Sequence, residues 1–448
     1  MQHRIIVVMD YDISIGKTNL NEIVYALKGV EDQLMLNILG SILDKTDDEI
    51  ASRLTNTPEM ADQELGRHYV KGHEAQECEC GRARRRGYRG NLRHIKTVFG
   101  ELKQKLRMVE CVKCKTRYAP LLPALKIERY GRKEVNLEQE VIEAVIDTNY
   151  RRLTDGISVD LSLGGIHNIV VESDIDKTLA EPIVTTELQA ILGDATGVKQ
   201  YRGQKGELRA VIGITKAGRV KPLGSFVNTP WPEIEKEIRP RIQSDQPKKI
   251  PFIYDGEPEI DKFLADVTET QRCSWHAPRG LSYSLWNDGV SKGTRDELAE
   301  ELKGLIGIEL PEADYDLLKK EDKQAVSAQY EKSQKEMAEL ILTFKKRGYH
   351  KGASYLENLS KYIFTRVKIW IETGVISPKT TSLLERVFRE LGRRLKKIAW
   401  GWSDQGALKM SKLILIKQYE PEKWEQYWLK KLGINGNFAV KLVSVEVL

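Results

Sequence analysis

The sequence predicts a multidomain α/β protein, on three observations. Between residues 185 and 284 the hydrophobic pattern breaks into short strand-like runs interleaved with helical ones. From 285 to 378 the pattern is helical throughout. Upstream, four of the five cysteines fall between residues 78 and 114, among short segments of alternating character. At 448 residues the chain is also too long for one ordinary core, so several domains are expected.

Lys plus Arg number 71 against 65 Asp plus Glu, a net charge of +6. The excess is small, but it clusters in "GRARRRGYRG" (81–90), "FKKRGYHKG" (344–352) and "RELGRRLKK" (389–397). Any one such run fits a solvated helix face or loop; three in separate segments point to a polyanionic partner. No stretch approaches the roughly 20 apolar residues of a membrane span, and "RIIVV" at 4–8 is too short for a signal-peptide core. The expectation is a cytoplasmic, nucleoid-associated protein with no membrane partner. Five cysteines in a chain of this size do not make a disulfide framework, and clustered cysteines in a reducing compartment read as metal ligands.

In chain order, residues 1–72 read as helical. Within them "SIGKTN" echoes a phosphate loop, but the first glycine of such a loop would stand at position 11, which is Tyr11. Residues 73–125 read as a zinc-ribbon-like segment in which Cys78, Cys80, Cys111 and Cys114 close a structural Zn²⁺ site. Between the cysteine pairs, Leu102, Leu106 and Met108 fall on one parity and Lys103, Lys105 and Arg107 on the other, as in a half-buried hairpin strand. Cys-x-Cys is less usual than Cys-x-x-Cys, so His73 is an alternative ligand to Cys78 or Cys80; buried free thiols are the bland alternative. The neighbouring arginines would lie along a nucleic-acid backbone. Residues 136–180 contain three short helical runs broken at "DTNY" and "SLGG", the outline of a helix-turn-helix whose last helix starts near Ile166; an ordinary helical linker is the alternative.

The next block supplies the chemistry. "ELQAILGDATGVKQ", "ELRAVIGITKAG" and "RVKPLGSFVN" read as successive strands, followed by the helix "PWPEIEKEIRPRIQ", the strand "KKIPFIYDGE", a short helix "PEIDKFLADV" and the strand "TQRCSWHAP". That order is the one of an RNase H-like mixed sheet. Asp194 on the first strand and Asp255 at the end of the fourth would then converge, because those strands are neighbours. Paired carboxylates there fit two Mg²⁺ (or Mn²⁺) ions and phosphodiester chemistry. A third acid should come from a later helix: Glu385, among apolar residues spaced three and four apart and the arginines Arg386, Arg389, Arg393 and Arg394, with Glu390 as competitor. The core is thus expected over 185–284 and 379–415, split by an all-helical insertion at 285–378, with 416–448 as a C-terminal tail. Cys273 and His276 could be half a metal site or the nucleophile and base of a cysteine hydrolase, but the four upstream cysteines already make a complete set and on a strand His276 would face away from the thiol, so the pair is read as support for the core beside Asp255 or a contact to DNA there.

With these residues in view, the chain resembles the DDE transposases of prokaryotic insertion sequences, in particular those allied to the Mutator type. The resemblance covers about residues 73 to 415. It rests on Asp194, Asp255 and Glu385, on Cys273 and His276 as a Cys-x-x-His motif after the second Asp, on the helical insertion before the Glu, and on "GWSDQGALKM". One position departs from the pattern: relatives commonly carry Asn three residues before the Glu, where this chain has Ser382. The resemblance implies an enzyme that binds the terminal inverted repeats of its element in double-stranded DNA, hydrolyses a phosphodiester at each end and joins the 3′-hydroxyl to target DNA. It also implies a homodimer or larger assembly on DNA, since two ends must meet. The rival reading is a non-catalytic zinc-ribbon and helix-turn-helix regulator of DNA.

Overall fold

The computed structural model describes residues 20–56, 61–125, 127, 131–156, 160–243, 249–311, 315–398 and 401–433, and not the side chains of 20–29, 73–75, 202, 258 and 316. "SIGKTN" and most of the expected C-terminal tail beyond Gly433 lie outside the described residues. The chain divides into two compact units, 1–170 with 431–448, and 171–430.

The first unit opens with helix α1 (Leu20–Asn56). Leu43, Ile50, Ala51 and Leu54 bury one stripe of α1 against Leu102, Leu106, Val109 and Leu121. Seven short strands follow: β1 (His68–Val70), β2 (His73–Cys78), β3 (Ala83–Tyr88), β4 (Arg93–Thr97), β5 (Gly100–Gln104), β6 (Arg107–Cys111) and β7 (Arg117–Tyr118). They pair as hairpins β1–β2 and β4–β5 and as a three-stranded sheet β3–β6–β7. The single alternating strand expected across 102–111 is therefore two strands in different sheets. At its break the Arg107 N–H donates to the Asp47 carboxylate of α1 (2.7 Å), 60 residues away in the chain.

After α2 (Leu121–Ala124) come three helices, α3 (Val135–Asp147), α4 (Tyr150–Thr154) and α5 (Leu163–Glu172); α4 begins within "DTNY" and α5 within "SLGG", ahead of Ile166. Glu134 caps α3 by accepting from Asn136 and Leu137 N–H, and Asn149 caps α4 by accepting from Arg152 N–H. Residues 157–159, between α4 and α5, lie outside the described residues.

The second unit is built on one five-stranded mixed sheet, with strands β9 (Leu188–Lys199), β10 (Lys205–Thr215), β11 (Val220–Val227), β13 (Ile250–Tyr254) and β14 (Thr268–Arg272), ordered β11-β10-β9-β13-β14. The first three are antiparallel, and β13 runs parallel to both β9 and β14. A separate small parallel pair joins β8 (Ile183–Val184) to β12 (Ile242–Gln243). One face of the large sheet packs on α6 (Trp231–Ile238) through Ile191, Phe252, Trp231, Ile234 and Phe263. Gly193 is required there, because a Cβ would stand 2.7 Å from the Phe252 ring. The other face carries α12 (Ser382–Gly392) and α13 (Asp404–Tyr419), with Ser225 of β11 bonded to Ser411 of α13 at 2.7 Å. A π-helical turn over Arg393–Ile398 ends α12 and sends Lys396 to the Thr196 hydroxyl of β9 (2.7 Å). Helix α14 (Pro421–Leu432) follows.

Between β14 and α12 stand five helices: α7 (His276–Asn287), α8 (Lys292–Ile306), α9 (Lys320–Lys346), α10 (His350–Ser360) and α11 (Thr365–Thr373). They share their own core, including Leu281, Leu302, Phe344, Leu356 and Trp370. The helical segment thus begins at His276, earlier than 285. Two local expectations need correction. "PEIDKFLADV" forms only a 3₁₀ turn at Pro258–Ile260, since Leu264 takes a positive φ of 53° and its N–H goes to the Glu235 carboxylate of α6 (3.1 Å). β14 stops at Arg272, so Cys273 lies just past the strand and His276 opens a helix.

Candidate active site and metal centre

Strand register decides where the two aspartates go. On the parallel pair β9 and β13, Leu192 stands opposite Ile253. Two residues further along each strand direction lie Asp194 and Asp255, so the carboxylates arrive level with each other at the same end of the sheet. Asp194 feels the crowding: burial first, then the Asp255 charge, push its pKa up to about 7, although the Ala195 N–H donates to its Oδ1 at 2.7 Å. Asp255 accepts from the Glu257 N–H (3.3 Å) in the turn that follows. Gly256 makes this turn possible with φ of 124°, and a Cβ on it would lie 1.9 Å from the Arg272 guanidinium. That guanidinium is buried, lies over the Tyr254 ring at 5.3 Å and donates to Asn358 at 3.1 Å. A fixed cation therefore sits behind the Asp255 turn.

Glu385 is in the first turn of α12, exposed, with its Oε1 3.6 Å from His276 Nε2. The His276 imidazole is held above its ordinary pKa by the neighbouring Cys273 thiol and, further off, by Asp255 and Asp194. Its Nδ1 is nonetheless buried without a hydrogen bond of good geometry, so the influence of Cys273 is that of proximity. Burial raises the Cys273 pKa, and contacts from His276 and Thr381 outweigh it to leave the thiol below its usual value. Asp194, Asp255 and Glu385 thus gather around His276. Glu390 does not join them: it lies on another face of α12, near Tyr419, whose pKa is raised by burial first and then by the Glu390 charge. A carboxylate not singled out from the sequence, Glu257, is near enough to raise Asp194, but it is engaged by Trp231 Nε1 (2.8 Å) and Arg209 (3.3 Å). Its signal was the "DGE" turn itself. Crowded acids of this kind are relieved by a proton or by a divalent cation with oxygen preference.

In the first unit, His68, Cys78, Cys111 and Cys114 bring one ligand atom each within 4.8 Å of one another. This corrects the sequence expectation, which had Cys80 in the fourth place. Cys80 Sγ lies 3.8 Å from the Arg82 carbonyl, across the turn at Gly81, where φ is 67°. The side chain of His73, the expected alternative, lies outside the described residues. His68 arrives because β1 and β2 pair it directly opposite Cys78. Its Nδ1 is 2.6 Å from the Gly66 carbonyl, which fixes the proton there and leaves the Nε2 lone pair, 3.1 Å from Cys114 Sγ, for a metal. The ring stacks on Tyr118 at 4.0 Å. Burial pushes the Cys111 thiol up to about 12, whereas at Cys114 burial is outweighed by the contacts with Thr116 and the His68 ring, which bring the thiol down to about 6. Three thiols and an imidazole in this arrangement fit zinc, and the cluster could hold that ion. The signal for His68 was the "HYVKGHEAQEC" hairpin, whose Lys71-Gly72 turn sets the register.

No helix among the described residues is long and apolar enough to cross a membrane. No family model matches the chain. No curated protein matches it by sequence. Among solved structures the chain is similar to the Drosophila P element transposase strand transfer complex, at 10% sequence identity and a TM-score of 0.38, over 63% of this chain and 92% of that one.

Proposed function

We propose that the protein is a DNA transposase of the DDE type, its five-stranded sheet an RNase H-like core and Asp194, Asp255 and Glu385 its catalytic acids. The observation that carries this reading is the level placement of Asp194 and Asp255 on adjacent parallel strands, with Glu385 joining them across His276. The three carboxylates would hold two Mg²⁺ or Mn²⁺ ions, which supply activation of the attacking oxygen and charge stabilisation at phosphorus. The chain's own part is positional. Asp194, crowded by burial and by Asp255, would be the ligand most relieved by a bound cation, while Arg272 steadies the Asp255 turn and the arginines of α12 attract the DNA backbone.

The substrates in this reading are the terminal inverted repeats of the element and a target duplex, held by the zinc-bearing unit and the α3–α5 helices. On α5 the exposed side chains His167 and Asn168 have the chemistry to read base edges. A dimer or larger assembly on DNA follows from the need to bring two ends together. Cleavage of duplexes carrying the element ends tests the proposal. Wild type is expected to cut in Mg²⁺ or Mn²⁺, and Asp194→Asn to lose at least about a hundredfold in rate, as removal of a metal ligand typically does. Equal cutting by both proteins would refute it.

A further inference from the structure

The Cys-x-x-His motif has so far supplied His276; Cys273 is left without a task. It is 1% exposed and lies where two connections cross. Its backbone N–H donates to the Tyr254 carbonyl at 2.8 Å, the residue before Asp255. Its Sγ accepts from the Thr381 N–H at 3.4 Å and lies 3.6 Å from the Thr381 hydroxyl. Thr381 is the N-cap residue of α12 and is fully buried, and its own side chain makes no capping bond to the helix. One residue therefore ties the strand end that bears Asp255 to the first turn of the helix that bears Glu385.

The residues on either side do the same. The Gln271 side chain donates to the Pro378 carbonyl and accepts from the Ser377 hydroxyl, both at 2.8 Å, and Gln271 and Ser377 are almost wholly buried. Ser274 donates to the Lys379 carbonyl through both its N–H (3.1 Å) and its hydroxyl (2.9 Å). β14 is the edge strand of the sheet. These side chains close that edge with the segment 377–381 returning from the helical excursion.

We propose that Cys273, flanked by Gln271 and Ser274, is the positioning residue that registers Glu385 against Asp255. The catalytic consequence rests on the function proposed above; the mechanical one does not. Without the clamp, the N-terminal turn of α12 keeps its apolar face and the Glu385–His276 contact but loses the bonds that tie it to the strand end, so it is freer to slide or fray, which moves Glu385 more than either aspartate.

The test uses the full-length chain and two readouts. Hydrogen–deuterium exchange of peptides covering 379–390 is compared for wild type, Cys273→Ala, Cys273→Ser and Ser274→Ala, with α9 peptides as the internal control. Cys273→Ala is expected to speed exchange there about tenfold while α9 is unchanged, the size of effect that follows loss of a buried hydrogen bond, and Cys273→Ser to restore most of it. In parallel, the Mn²⁺ concentration for half-maximal cleavage of element-end DNA should rise in Cys273→Ala and fall back in Cys273→Ser. Should Cys273→Ala fail to fold, Ser274→Ala carries the test, with the same pattern at smaller size. Wild-type exchange in both alanine variants would overturn the clamp. Faster exchange with an unchanged Mn²⁺ requirement would overturn its role in positioning Glu385. Faster exchange in a protein that never cleaves DNA would support the clamp and sink the transposase reading instead.

Discussion

His68 depends for its role on a partner ten positions away, and two short strands make that partnership. Cys80, close to Cys78 in sequence, is not part of the His68 cluster and has its Sγ 3.8 Å from the Arg82 carbonyl instead. The contrast yields a direct expectation. Purified wild type and Cys80→Ala should each carry one zinc per chain by metal analysis, whereas His68→Ala and Cys114→Ala should lose it and unfold the β1–β7 region. Zinc lost from Cys80→Ala would mean that the cluster is wrong. That cysteines cluster here was legible from their spacing, because Cys78, Cys111 and Cys114 come from two short pairs. Ligand identity was not, since it turned on hairpin register across Lys71 and Gly72. The strand positions of Asp194 and Asp255 were legible for the opposite reason: each follows a run of apolar residues whose strand character is strong.

At the scale of elements, α1 shows how a single polar residue on a buried stripe reshapes its neighbours. Asp47 is 1% exposed, in line with Leu43, Ile50 and Leu54, and takes the Arg107 N–H at the strand break. Burial, the main cause, raises its pKa from 3.8 to about 6. The folded form thus holds its proton more tightly than the unfolded chain. Stability from this group is fully present below about pH 4 and is lost as pH rises through about 6, to a total on the order of 3 kcal/mol. Asp47→Asn keeps an acceptor for Arg107 and should flatten that slope, read from the urea midpoint of α1 exchange between pH 4 and 7; an unchanged slope would remove Asp47 as its source. The three antiparallel strands, α6, β13 and β14 were all visible in the change of hydrophobic period. What periodicity missed were the places where a side chain from another element captures a backbone N–H: Asp47 at Arg107, and Glu235 at Leu264. Such captures depend on tertiary approach, and no local pattern encodes them.

Across the whole molecule the net charge of +6 says little, and its distribution says more. The run at 81–90 forms β3, where five of six residues are exposed, while the run at 389–397 continues α12 past Glu385. If the proposed function holds, affinity for duplex DNA should fall steeply with salt, and Arg84→Ala should lower the slope of log K against log salt by about 0.9, sequence-independently. A slope unaltered by that change would remove β3 from the interface. Clustering was readable in the sequence; which clusters share a unit with the acids was not, because the α7–α11 segment separates Glu385 from the strands it joins.

That separation has a bearing on the order in which the chain is made. The sheet strands and both aspartates leave the ribosome before α7–α11, and Glu385 only after them. During synthesis the protein can therefore build a complete sheet while lacking its last carboxylate, and the clamp at Cys273 has nothing to hold until Thr381 emerges. In the proposed enzyme, competence to cut DNA would be deferred until the helical segment has been made and its far end delivered to the edge of the sheet.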